Sequence, residues 1–191
     1  MNMDFEIPDI SENAGKASTG KNHKKPRRAG SLRLGDRIRS ISKNYTATLE
    51  KKDEERNVEF YSLSEGEENF SFYGMEVSIV GVCLHNKKTA AIYMELPSNK
   101  REELIRRVEK EEGKGQDAWG LTIFADTVTT LFVTKQEKGE PVITIALMDS
   151  EEAKVLSDKE ALAEAERKKS RTLGQRIMKT YFDPVGRISR K

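Results

Sequence analysis

The side chains that most often carry out catalysis or bind metals are sparse in this sequence. His23 and His85 are the only histidines among 191 residues, and Cys83 is the only cysteine. Zinc sites need several such ligands at short spacing, and no such cluster is present. The sequence also lacks a nucleophile elbow, a Walker loop and an HExxH motif. We therefore expect no catalytic residue, no metal and no cofactor, and we expect Cys83 to be a buried small hydrophobe.

Carboxylates offer one other route to a reactive site. Asp126, Asp149 and Glu152 are expected to form turns or to cap helices, which are the common roles of such residues. An enzyme would require a fold that brings two or more of four carboxylates into one pocket, namely Asp117, Asp126, Asp149 and Glu152. We therefore predict a protein that is not an enzyme and has no small-molecule substrate.

The chemistry that the sequence does offer is electrostatic. Residues 16–43 contain ten Lys or Arg and one acid, for a net charge of +9. Residues 167–191 contain nine Lys or Arg and one acid, for a net charge of +8. The first fifteen residues have four acids and no base, and residues 44–166 carry a net charge of −11. Basic segments at both ends of an acidic body are typical of a protein that binds polyanions or copies of itself.

The candidate polyanion-binding residues all lie in these two basic segments. They are Lys21, Lys24, Lys25, Arg27, Arg28, Arg33, Arg37, Arg39, Lys168, Lys169, Arg171, Arg176 and Lys179. Such side chains neutralise phosphates and release counterions. The cluster Lys21–Arg28 contains no aromatic residue on which bases could stack, so contact with RNA or DNA is expected to be independent of sequence. The same cluster also fits a nuclear-import signal or attraction to an anionic membrane surface or an acidic protein.

One short motif occurs in both basic segments. Residues 31–38 and 170–177 share the pattern S-x-x-L-G-x-R-I, although chance is a serious alternative for such common residues. The spacing would place Leu34 beside Ile38, and Leu173 beside Ile177, on one side of a helix. These four residues are therefore candidates for self-association or for docking into a groove.

Hydrophobic periodicity predicts about six strands and one helix in the middle of the chain. The predicted strands are Val58–Leu63, Phe70–Leu84, Thr89–Leu96, Trp119–Phe124, Val128–Thr134 and Val142–Met148. Short polar turns between them favour antiparallel pairing. The predicted helix follows Pro97 and ends at Gly113. Asn99 or Ser98 is its predicted cap, and Glu102 lies three residues after Asn99, as in a capping box. A C-terminal helical segment follows, and it has two possible capping boxes, Asp149 with Glu152 and Ser157 with Glu160.

The longest predicted strand is apolar on both faces near its end. Strict alternation places Met75, Val77, Ile79, Gly81 and Cys83 on one face, and the other face carries Val80, Val82 and Leu84. Such a strand should be central in its sheet. The fold class is therefore α+β, a mostly antiparallel sheet of about six strands with one helix inserted in mid-chain and a C-terminal helical segment.

The sequence predicts three regions. Residues 1–43 form a disordered arm, acidic and then basic, because they have too few apolar residues to offset chain entropy. Residues 44–166 form the folded body, and residues 167–191 form a basic C-terminal helix and tail. The sequence has no apolar run of membrane-spanning length and no signal peptide. We therefore expect a cytoplasmic, nuclear or virion protein.

Together these features favour a non-enzymatic structural protein that binds nucleic acid through basic arms and forms homo-oligomers. That layout is typical of small capsid, nucleocapsid or matrix proteins of viruses, a comparison of architecture alone. The alternative is a nucleic-acid-binding regulator or ribonucleoprotein component that does not polymerise.

Overall fold

One antiparallel sheet of nine strands forms the centre of the protein. The structure is a computed structural model that describes residues 26–66, 70–118, 120–135 and 139–156. The strands of this sheet are β3 Thr46–Asp53, β4 Val58–Ser64, β5 Phe70–Phe72, β6 Met75–His85, β7 Lys88–Pro97, β8 Gln116–Ala118, β9 Leu121–Ala125, β10 Thr129–Thr134 and β11 Val142–Asp149. Eight of them follow the order β3-β4-β6-β7-β11-β10-β9-β8, and β5 pairs with β6. The mostly antiparallel α+β class is confirmed, and the predicted number of about six strands is too low.

Two of the additional strands come from segments without a clear apolar pattern, and one comes from a turn inside an apolar run. Strand β3 is exposed along most of its length, and β8 has only three residues. Strands β5 and β6 were predicted as a single strand. The chain reverses between them at Tyr73 and Gly74, which have φ angles of 49° and 69°. A left-handed pair of residues makes a tight hairpin turn, and the apolar run continues on both sides of it.

The sheet consists of two meanders that meet at its centre. The first meander ends at β7, and the second ends at β11, which pairs with β7 so that Ala146 lies opposite Tyr93. Between them the chain forms a short 3-10 turn, Ser98–Lys100, and then a helix, α2, Arg101–Glu112. The predicted capping box is wrong, because the helix begins after the 3-10 turn without a side-chain cap.

Helix α2 packs on one face of the sheet. Leu104 and Val108 are buried there, and the guanidinium of Arg101 donates to the carbonyl of Thr134 at 2.8 Å and to the hydroxyl of Thr122 at 2.7 Å. These bonds fasten the start of the helix to β9 and β10. Gly113 ends the helix with a φ of 87°, as the sequence predicts.

A bulge in β6 changes which side chains face the main core. The register with β7 shifts between Ile79 and Gly81, so Val80 is an extra residue. Because the side-chain period of a strand is two, one extra residue transfers every later side chain to the opposite face. Val82 and Leu84 therefore join Met75, Val77 and Ile79 in the main core. The predicted alternation, which put Cys83 with Met75, is wrong beyond the bulge, and Cys83 packs on the other face with Phe60.

An N-terminal segment packs into the main core. It contains a small hairpin of β1, Arg28–Ala29, and β2, Leu32–Arg33, followed by a short helix, α1, Ile38–Ile41. Its buried members are Ala29, Leu32, Leu34, Ile41 and Tyr45. The ordered body thus includes residues 26–43, which corrects the predicted boundary after residue 43 and the predicted disorder over that range. Residues 1–25 lie outside the described residues.

Strand β3 forms one edge of the sheet and carries features that oppose further pairing. Within the described residues it pairs only with β4, and its register shifts between Leu49 and Lys51. Lys51 and Lys52 are exposed on it. A bulge and lysines on an edge strand are common means by which proteins prevent edge-to-edge aggregation. Self-association through this edge is therefore disfavoured.

A helix, α3, Ser150–Leu156, follows β11 directly. The Asp149 carboxylate accepts a hydrogen bond from the backbone N–H of Glu151 at 3.0 Å, so the predicted cap by Asp149 is confirmed. Glu152 does not complete a capping box and instead contacts His85. The other possible capping box, Ser157 with Glu160, and the predicted C-terminal tail lie outside the described residues. No helix within the described ranges combines the length and the apolar character that crossing a bilayer requires.

Candidate polyanion-binding surface

The structure describes five of the thirteen basic residues that the sequence predicts as polyanion ligands. All five belong to the N-terminal segment that packs into the core, and they are Arg27, Arg28, Arg33, Arg37 and Arg39. The remaining candidates lie outside the described residues, together with two of the four docking candidates, and they are Lys21, Lys24, Lys25, Lys168, Lys169, Arg171, Leu173, Arg176, Ile177 and Lys179.

Two of the five arginines lie directly opposite each other. Arg28 on β1 pairs with Arg33 on β2, and both side chains are exposed. Residues opposite each other across an antiparallel pair project to the same side, and like charges in that position repel. The turn at Gly30 and Ser31 fixes this juxtaposition. An anionic oxygen placed between two such guanidinium groups would remove the repulsion and accept hydrogen bonds from both.

Arg37 and Arg39 lie further along the same N-terminal segment. Arg37 precedes α1 in an extended conformation, and Arg39 lies in its last turn. Both side chains are exposed. In the described part of the chain, neither these two side chains nor Arg28 or Arg33 forms an ion pair. We define these four residues as the arginine surface.

Arg27 has a different role from the arginine surface. Its guanidinium donates to the Asp149 carboxylate at 3.0 Å and to the carbonyl of Val128 at 2.7 Å. The ion pair is about one-third exposed on both sides. Arg27 therefore fastens the N-terminal segment to β10 and β11, and it is committed internally rather than presented as a ligand for phosphate.

The predicted docking pair of the N-terminal motif is also placed differently. Leu34 is only 5% exposed and belongs to the main core, while Ile38 is half-buried against it. The two residues do not share a helix, because Gly35 turns the chain with a φ of 91° and α1 begins only at Ile38. The backbone N–H of Gly35 bonds to the carbonyl of Thr89 at 2.8 Å. In this copy of the motif Leu34 is a core residue and does not offer an exposed docking group.

Two lysines lie where the chain turns from β6 into β7, near this segment: Lys87 is in the turn and Lys88 is the first residue of β7. Lys88 is exposed, but Lys87 forms an ion pair with Glu59, whose carboxylate is mostly buried. The hydrogen bond from Lys87 lowers the pKa of Glu59, burial opposes that effect, and the hydroxyl of Tyr61 at 3.1 Å lowers the pKa further. The ammonium group of Lys87 is therefore engaged by the carboxylate of Glu59 within the protein.

The lowered pKa of Glu59 predicts a measurable dependence of stability on pH. Because this pKa lies below its ordinary value of 4.5 in the folded protein, the carboxylate contributes stability above that pH, and the contribution is lost as pH falls through the folded pKa. Glu59→Gln is therefore expected to destabilise the protein at neutral pH and to flatten its loss of stability in acid. Urea unfolding at about pH 7, 4.5 and 3 measures both effects. If the stability of the Glu59→Gln variant changed with pH by the same amount as that of the unaltered protein, the stabilising role of the Glu59 carboxylate would be contradicted.

Cys83 lies near an interacting histidine and carboxylate, His85 and Glu152, within the part of the chain that the structure describes. His85 Nδ1 lies 2.7 Å from a carboxylate oxygen of Glu152, and Asn86 Nδ2 lies 3.2 Å from His85 Nε2. Burial raises the pKa of Cys83, and the nearby charge of Glu152 raises it further. A thiol in this state is a poor nucleophile at neutral pH. Among the described residues no three His, Cys, Asp or Glu side chains gather as metal ligands.

The sequence located the basic residues of this surface, but not how they are arranged. The β1–β2 hairpin was missed because each strand has only two residues. A signal was present in the pair Gly30-Ser31, which punctuates a turn between two basic residues. Nothing near Arg27 in the sequence indicates its ion pair, because its partner Asp149 is 122 positions away.

Comparisons with known proteins do not classify this protein, so its classification rests on its fold and on the arginine surface. No protein-family model matches the chain, and searches of curated proteins and of solved structures give no match. Fold and surface together define a class: an α+β protein with a nine-stranded antiparallel sheet and an arginine-bearing N-terminal segment packed on it.

Proposed function

We propose that this protein is a non-enzymatic assembly protein that binds nucleic acid through its basic surface and tails. The arginine surface carries the proposal, because it presents four exposed guanidinium groups, two of them directly opposed. Like charges that lie directly opposite each other destabilise a strand pair, and a bound counter-charge would relieve that repulsion. In this role the body would serve as a platform and would self-associate, as capsid, nucleocapsid or matrix proteins do.

Recognition by this surface is a matter of charge and hydrogen bonding. Arginine presents a planar fork of donors that matches two phosphate oxygens. Residues 16–43 contain no Phe, Tyr or Trp, so base stacking has no support in this segment. Binding should therefore be largely independent of base sequence, and it should depend steeply on salt.

A salt titration tests the proposal. The intact protein is expected to bind single-stranded RNA, and the logarithm of its affinity should fall linearly with the logarithm of the salt concentration. The slope of that line should be about −0.7 for each phosphate contact. Fluorescence anisotropy of a labelled poly(U) strand measures this slope, and vesicles with anionic lipid serve as a parallel probe. The proposal fails if the protein binds no RNA at low salt, or if it binds only the vesicles.

The alternative is a nucleic-acid-binding regulator that remains monomeric. The protected edge of β3 favours it, since the bulge and the lysines there oppose pairing between bodies. Sedimentation velocity with and without RNA separates the two functions. Large species that grow with concentration support assembly, whereas a monomer that binds RNA and stays small supports the regulator.

A further inference from the structure

Three serines lie in the N-terminal segment beside the arginine surface, and each follows one of its arginines by three residues. The pairs are Arg28 with Ser31, Arg37 with Ser40, and Arg39 with Ser42. None of the other serines that the structure describes has an arginine or a lysine three residues before it. Protein kinases select their substrates partly by such charge patterns. The spacing therefore marks this segment as a candidate for phosphorylation, and the structure decides among the three hydroxyls.

Two of these serines already use their hydroxyl groups inside the protein. Ser31 donates to the hydroxyl of Tyr45, a buried residue, at 3.1 Å. Ser42 donates to the carbonyl of Ile38 at 3.0 Å. A phosphate ester on either oxygen would remove the proton that makes the bond. These two positions therefore lose a hydrogen bond of the native protein when they are modified.

Ser40 is exposed on α1, beside Arg37. Its backbone N–H donates to the carbonyl of Arg37 at 2.8 Å, which closes one turn between the two residues. Arg37 precedes the helix and Ser40 is the third helical residue, and side chains at these two positions lie close together. A phosphate on Ser40 would lie within reach of the Arg37 guanidinium, whose planar fork of donors matches two phosphate oxygens.

We propose that Ser40 is a phosphorylation site, and that its phosphate withdraws Arg37 from the arginine surface. This proposal rests on the proposed function and adds a means of regulating it. In the reaction, Oγ of Ser40 attacks the γ-phosphorus of a nucleoside triphosphate held by a protein kinase. The new O–P bond forms as the bond to the β-phosphate oxygen breaks. Nucleoside diphosphate leaves, and the serine proton passes to a base of the kinase.

Local opening of the chain favours Ser40 over Ser31. Helix α1 has only four residues, and a helix this short is not stable without its packing contacts. The deeply buried residue of that turn is Ile41. Opening around Ser31 instead exposes two deeply buried neighbours, Ala29 and Leu32. Segments that bury less apolar surface open more often, so a kinase should reach Ser40 sooner.

The phosphate would change the charge of the arginine surface by about half. The four guanidinium groups carry four positive charges at neutral pH. One phosphoserine adds roughly 1.5 to 2 negative charges at pH 7. Counted as two lost phosphate contacts, this change should weaken RNA binding by about 10-fold at roughly 0.15 M salt.

The first test measures which serine takes the phosphate. The full-length protein is incubated with ATP and calmodulin-dependent protein kinase, which selects arginine three residues before serine, and phosphopeptides are followed by mass spectrometry. We expect Ser40 to be modified before Ser31 and Ser42. Arg37→Gln should slow modification of Ser40 by about 10-fold, whereas the matched Arg39→Gln should not. The proposal is overturned if Ser40 takes no phosphate, if another of the three serines is modified faster, or if Arg37→Gln has no effect.

The second test measures the consequence for RNA binding. Kinase-treated protein and kinase-treated Ser40→Ala protein are titrated with a labelled poly(U) strand. The variant retains every other acceptor and differs at one exposed side chain, so it isolates the effect of a phosphate on Ser40. The treated native protein should bind about 10-fold more weakly than the treated variant. Equal affinities would overturn the withdrawal of Arg37. Failure of the untreated protein to bind poly(U) would instead reject the proposed function, even where Ser40 carries phosphate.

Discussion

Replacing Arg28, Arg33, Arg37 and Arg39 together with glutamine is expected to weaken binding to single-stranded RNA by about 100-fold at roughly 0.15 M salt. Each lost phosphate contact removes about 0.7 from the slope of log affinity against log salt, so four contacts lower the slope by about 3. Anisotropy titrations at several salt concentrations give both values. Glutamine keeps much of each side chain's length, and all four side chains are exposed, so stability should change little.

The matched control removes the same charge from another part of the surface. Lys100, Arg106, Lys110 and Lys114 lie on or beside α2, and all four are exposed. Their replacement by glutamine changes the net charge equally, and it is expected to lower affinity much less. If both quadruple variants lose affinity equally, the protein responds to overall charge and the arginine surface has no special role. If neither variant loses affinity, binding resides elsewhere in the chain.

Elements with strong apolar patterns could be predicted from the sequence. Strands β4, β7, β10 and β11 match the predicted strands to within one residue at every end. Helix α2 was also predicted, because its apolar stripe and Gly113 mark its face and its end. In these segments the local pattern and the tertiary environment agree, so the periodicity alone is sufficient.

Features that depend on pairing partners could not be predicted. The bulge at Val80 arises from the register between β6 and β7, and nothing in the local pattern signals it. Strand β3 is held by pairing with β4 rather than by burial of its own side chains. Propensity and periodicity describe burial well, but they do not describe backbone pairing at an edge.

The same limit applies to the candidate site. The sequence grouped the basic side chains as a cluster of charge, and it treated Arg27 and Arg28 as equivalent. Their roles separate only when Asp149 approaches Arg27 in the folded chain. Composition therefore predicts that a charged surface exists, whereas tertiary contacts decide which charges are committed.

Leu34→Ala is expected to destabilise the protein by about 2–5 kcal/mol, because removal of a buried leucine side chain leaves a cavity. Leu34 is 5% exposed in the main core, beside the point where Gly35 bonds to Thr89. If the N-terminal segment detaches before the sheet unfolds, the measured loss is limited to the free energy of that local opening. Urea unfolding measures the global effect, and hydrogen exchange of residues 26–45 measures the local one.

Leu49→Ala provides the matched control for Leu34→Ala, because it makes the same chemical change at a residue that is 48% exposed on β3. A surface substitution of this kind is expected to change stability by no more than about 0.5 kcal/mol. The comparison also decides between the two roles considered for Leu34. If Leu34 is a docking residue, the substitution should weaken self-association and leave the stability of the protein unchanged. If Leu34 is a core residue, the substitution should lower that stability first. A Leu34→Ala variant as stable as the Leu49→Ala variant would therefore contradict the packing of the N-terminal segment against the sheet.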